Sequence, residues 1–149
     1  MKTRLLFLFA LIGLAITFVS CSNDDDWEPM YWAGYPKKSA IVVNVGAEGG
    51  TDTLLCTNYR YMFVGGVMTY ADASDSEHWE AYMVYQSGTG DSITCTADAG
   101  FATLRSKGPQ LLVTLSPNDS GKERSVMVMV NAPVPDKIGD RITFVQAAK

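Results

Sequence analysis

From residue 39 onward, apolar side chains recur at every second position rather than every third or fourth. A period of two belongs to a strand with one face against a core. Ile41, Val43 and Val45 set the pattern, alternating with Val42 and Asn44. Gly49-Gly50 punctuates it, and residues 51–57 then place Asp52, Leu54 and Cys56 opposite Thr51, Thr53 and Leu55. Residues 61–70 are aromatic and β-branched but are interrupted by Gly65-Gly66, where a bulge or tight bend is expected. Further strand-like runs occupy 81–86, 92–97, 111–115, 125–130 and 141–146. The Val-Met-Val-Met-Val of 126–130 reads as a strand covered on both faces. Between the runs stand Ser87-Gly88-Thr89-Gly90-Asp91, Pro117-Asn118-Asp119-Ser120-Gly121 and a loop over 133–140. Many short strands with frequent turn signals predict an all-β antiparallel sandwich of about seven to eight strands. The lone helical hint is Ser74-Asp75-Ser76-Glu77, a capping-box match ahead of Trp79, Tyr82 and Met83.

The first 26 residues follow a different rule. Met1-Lys2-Thr3-Arg4 is basic, and an almost unbroken apolar run follows from Leu5 to Val19. About 15 apolar residues fit a signal-peptide core and fall short of the ~20 that span a bilayer. Phe18-Val19-Ser20-Cys21 closes the run with a small residue ahead of the cysteine. Residues 1–20 are therefore expected to be a lipoprotein signal peptide, with Cys21 the acylated N-terminus. Each buried lipid methylene contributes about 0.8 kcal/mol, and several chains together anchor stably. The alternative is a plain exported chain whose cysteine merely follows the leader. Asp24-Asp25-Asp26 reads either as a solvated spacer or as a sorting signal. Cys21-Ser22-Asn23-Asp24-Asp25-Asp26 resembles the start of surface-exposed lipoproteins of the Bacteroidetes, which implies an outer-membrane lipoprotein displayed on the cell surface. Residues 21–38 are expected to be an acidic and aromatic tether, and 39–149 the folded domain. The tether is unusual in holding Trp27, Met30, Tyr31, Trp32 and Tyr35 where a spacer would be rich in Gly, Ser or Pro.

Charge narrows the partners. Loss of Lys2 and Arg4 with the leader takes Lys plus Arg from 12 to 10 against 16 Asp plus Glu, so the net charge moves from −4 to −6. Nucleic acid, which requires clustered cations, is excluded as a partner, and attachment to an anionic membrane must come from the lipid. Beyond Cys21 the cysteines are Cys56 and Cys95, an even pair in an exported chain. They are either a disulfide across the core or two buried thiols acting as small hydrophobes.

Catalytic chemistry finds little to use. His78 is the only histidine; Asp75, Glu77 and Glu80 around it form a solvated acidic loop or a weak cation site. No serine sits in a Gly-x-Ser-x-Gly context, and Gly88-Thr89-Gly90 lacks the lysine of a phosphate loop. Nothing places two carboxylates across a cleft as glycoside hydrolysis needs. No enzyme, cofactor or metal is expected. Aromatic rings are the better lead, because the C–H face of a pyranose packs on them while polar neighbours fix its hydroxyls. Candidate ligand residues are Trp79, Tyr82, Trp32 and Trp27, with Trp79 foremost. The tether rings could instead dock on a sheet edge, and Tyr82 and Tyr85 could be core or cross-strand residues.

Glu48-Gly49-Gly50-Thr51, Cys56-Thr57-Asn58 and Tyr61-Met62-Phe63, followed by 111–115, Asn118, Gly121, Arg124, 126–130 and Ile142-Thr143-Phe144-Val145-Gln146, resemble the BACON domain, an Ig-like module of the Bacteroidetes. The resemblance spans about residues 39–147. Tyr61 stands where that family has Trp, its second Trp is absent before Ile93-Thr94-Cys95, and residues 65–90 have no counterpart. It implies an Ig-like sandwich and a module thought to bind carbohydrate or mucin. The expected function is thus a non-catalytic, surface-anchored glycan-binding or adhesion module. The alternative is a spacer or accessory subunit of an outer-membrane protein complex, and a small hydrolase is a third.

Overall fold

The computed structural model describes residues 28–37, 40–134 and 139–149. The expected leader, Cys21 and Trp27 lie outside the described residues. Among those described, ten strands build two five-stranded sheets: β1 (Ala40–Val45), β2 (Gly50–Leu55), β3 (Phe63–Tyr70), β4 (Glu80–Tyr82), β5 (Tyr85–Ser87), β6 (Thr94–Ala99), β7 (Ala102–Lys107), β8 (Gln110–Leu115), β9 (Arg124–Asn131) and β10 (Asp140–Gln146). The first sheet runs β1-β10-β9-β3-β4 and the second β2-β8-β7-β6-β5. Neighbours are antiparallel, except that β1 lies parallel to β10. The fold is the all-β sandwich expected from the period-two pattern.

The core is the sum of the inward alternates. Val67, Val126, Val128, Val130, Ile142 and Phe144 of the first sheet are buried, as are Leu54, Ala97, Leu104, Leu111, Val113 and Leu115 of the second. β9 is covered on one face only: Val126, Val128 and Val130 are buried while Met129 is 39% exposed, so the two-sided burial expected for this strand is corrected. The register slips between Val64 and Gly66 opposite β9, the bulge that Gly65-Gly66 announced.

Two poles close the sandwich. One holds Gly46–Gly50, the β6–β7 turn and the 116–123 loop, pinned by the far end of β10. Gln146 is fully buried; its Nε2 donates to the Ser116 carbonyl at 2.8 Å and the Ala47 carbonyl at 3.3 Å, and its Oε1 accepts from Arg124 Nε at 2.9 Å. Asn118 Nδ2 donates to the carbonyls of Lys122 and Ala147. Gly49 has φ +70°, and a Cβ there would run into the Leu115 carbonyl, so the turn admits only glycine. These residues, which carry much of the family resemblance, serve as staples of the fold.

At the opposite pole, residues 28–37 are part of the body, which corrects their assignment to a tether. Met30 and Trp32 are buried. Trp32 bridges Cys56, with Ala33 N–H donating to the Leu55 carbonyl and Thr57 N–H to that of Tyr31. Asn58 clamps the segment: its Oδ1 accepts from Tyr31 N–H at 2.8 Å and its Nδ2 donates to the Pro29 carbonyl at 2.8 Å. Two large apolar side chains so close before β1 cannot stay in water cheaply, and burying each contributes about 1.5–3 kcal/mol.

Candidate functional site

The open edge of the sandwich is where β3 and the short β4 approach the β6–β7 turn. Tyr82 pairs with Val67 and Glu80 with Thr69, so the side chains of Glu80 and Tyr82 share the inward side of the sheet. The chain before them, 71–79, forms no helix. Asp72 Oδ1 accepts from the Ser74 N–H and hydroxyl, and Asp75 Oδ1 from the N–H groups of Glu77 and His78. The capping-box residues are spent on these successive Asx turns, which compete with the first helical turn for the same donors. Ala73 N–H donates to the Glu123 carbonyl and Lys122 Nζ to Asp72 at 2.9 Å, which tie the loop to its neighbour.

The result is an open cleft of about 610 Å³. Trp79, 52% exposed, stands at its rim. Tyr82 and Phe101 supply further rings, Thr69 and Ala71 line it from the end of β3, and Glu77, His78 and Glu80 complete it. Tyr82 donates its hydroxyl to Glu80 at 2.6 Å and accepts from Thr69 Oγ1 at 3.4 Å. The bond to Glu80 lifts the phenol above its usual range. The Ser74 hydroxyl, with Lys122 and the Ser74 N–H, holds Asp72 down at about 2. The Glu77 N–H and then His78 hold Asp75 below its ordinary value. His78 Nδ1 lies 2.8 Å from Asp75 Oδ2. Phe101 is backed by Arg124, whose guanidinium lies 4.0 Å from the ring centroid. An exposed indole beside hydrogen-bonding carboxylates suits a flat, hydroxyl-bearing ligand. Among the described residues, no cluster of three or more His, Cys, Asp and Glu could hold a metal ion.

The other sequence candidates scatter. Trp32 is corrected from ligand residue to core: only 4% exposed, it donates Nε1 to Asp140 Oδ2 at 2.9 Å, at the pole opposite the cleft. Burial raises Asp140, and the indole bond partly offsets the rise. Cys56 and Cys95 are buried free thiols, not a disulfide. Both lie on the second sheet. Cys95 aligns with Ser106, Ser106 with Leu111 and Leu111 with Leu54, two residues from Cys56. Three strand spacings, ~14 Å, separate them, twice the ~7 Å limit for a bridge. Tyr85 is neither core nor part of the cleft; 68% exposed, it borders a second depression on the outer face of the second sheet, beside Thr96, Asp98 and Arg105. Phe101 and Thr69 line the cleft with no motif of their own in the sequence. Gly100, at φ +67°, marks the turn that delivers Phe101, a signal available in Asp98-Ala99-Gly100.

No family model matches the chain, and no curated protein does. A similar solved structure is the NMR structure of a protein from Bacteroides thetaiotaomicron, 24% identical over 83% of this chain and 90% of that one, with a TM-score of 0.59. At this identity the likeness speaks for the fold alone.

Proposed function

We propose that this chain is a non-catalytic, surface-anchored lipoprotein whose BACON-like sandwich captures carbohydrate, with mucin-type glycans among its targets. The observation that carries this reading is the half-exposed Trp79 at the rim of a cleft that also offers Tyr82, Glu77 and Glu80. A large apolar ring left in water at the mouth of a polar cleft gains by covering itself with a sugar face. The placement of the poles supports it. Residues 28–37 enter the body at the pole opposite the cleft, so lipid at Cys21 would leave Trp79 facing outward. A glycan array probed with the domain and with Trp79→Ala tests it: discrete glycan signals that vanish in the variant are expected, and signals unchanged by the substitution, or none at all, would overturn it.

The accessory-subunit reading has its own support in the edge strand β1, where Val42 is 59% exposed, and in Met83, 73% exposed. Co-purification of a membrane partner from detergent extracts, with no glycan binding, would favour it.

A further inference from the structure

We propose that the Trp79 cleft takes uncharged sugars and turns away sialylated and sulfated ones; this deepens, and rests on, the glycan reading above. The polar groups around the indole are acceptors. Glu77 and Glu80 carry acceptor oxygens only, and the Tyr82 hydroxyl already donates to Glu80. Neutral sugars arrive with hydroxyl protons to give, and a hydroxyl donated to a carboxylate makes a charge-assisted bond. Sialic carboxylates and sulfate esters bring oxygens with no proton to offer.

Nearby cations do not compensate. No Lys or Arg lines the cleft among the described residues. His78 is engaged by Asp75, Lys122 by Asp72, and Arg124 lies behind Phe101 with its guanidinium bonded to Ser116 and Gln146. An anionic group within ~6 Å of two carboxylates in water-like surroundings is disfavoured about tenfold at low salt, and less as salt screens it. On a glycan capped by sialate or sulfate, hydrolytic removal of the cap must therefore precede capture.

The test is an array printing each neutral glycan beside its sialylated and sulfated counterparts, read at about 20 mM and about 500 mM salt, concentrations that span the screening range. Wild type should favour neutral members about tenfold at low salt, with the gap narrowing at high salt. Glu77→Gln with Glu80→Gln, which keeps an acceptor for Tyr82, should raise the anionic-to-neutral ratio several-fold. Equal or stronger binding to capped glycans, or a ratio indifferent to both salt and the double variant, would overturn this selectivity and leave the glycan reading standing. Absence of any binding, or binding indifferent to Trp79→Ala, would remove that reading and the selectivity with it.

Discussion

Trp32, a ligand candidate by sequence, serves the fold through its bond to Asp140. The Asp140 carboxyl is buried and holds the Trp32 indole, and burial raises it above its ordinary value. The folded state therefore keeps the Asp140 proton to higher pH than the unfolded chain does. Its contribution to stability is fully present below the unfolded value near 3.8 and is lost as pH rises through the folded one. Asp140→Asn retains an acceptor for the indole without the desolvated charge. Urea titrations from acid to neutral pH should show that the variant lacks this decline and is at least as stable as wild type at neutrality. A variant weaker at neutral pH would mean that the charged bond outweighs the desolvation. The two tryptophans should diverge in the same titrations. Trp32→Ala opens a core cavity and should cost about 3–5 kcal/mol, whereas Trp79→Ala at the surface should stay within about 0.5 kcal/mol.

Among the elements, most strands are legible from alternation alone, and β7 is not. β7 reads Ala-Thr-Leu-Arg-Ser-Lys; its inward face is Ala102, Leu104 and Ser106, too small and too polar to register as an apolar run. Residues 81–86 looked like one strand but divide into β4 on the first sheet and β5 on the second. Local sequence records the extended conformation there but not the change of partner at the sandwich edge. The capping-box match at 74–77 failed because Asp72 and Asp75 offered the backbone closer acceptors than a helix would. The cysteines are ambiguous for a topological reason: facing sheets would allow a bridge, whereas three strand spacings within one sheet forbid it. A thiol-reactive chromophore should accordingly label neither Cys56 nor Cys95 in the native domain and both after denaturation, and a reductant should leave the melting temperature unmoved. One label or none in denaturant would contradict this placement.

At the scale of the whole molecule, β10 runs from one pole to the other beside β9, about 20 Å from Asp140 to Gln146 at the usual strand rise. Trp32 and Asn58 fix the incoming chain at one end, while Arg124, Asn118 and Gln146 tie the loops that frame the cleft at the other. The motif residues of the resemblance are spent on these ties. The ring proposed to meet ligand, Trp79, lies in the 71–79 loop and not among these ties. The fold is therefore readable from the alternating pattern and its turns, whereas the cleft depends on how the 71–79 loop meets the β6–β7 turn. The most direct check is backbone and indole NMR of the domain titrated with a neutral oligosaccharide that it binds. Shifts confined to Thr69, 77–82 and Phe101, with the Trp79 indole moving most, are expected. Shifts centred on Tyr85, Thr96 and Arg105, or around Trp32 at the far pole, would contradict the location of the site.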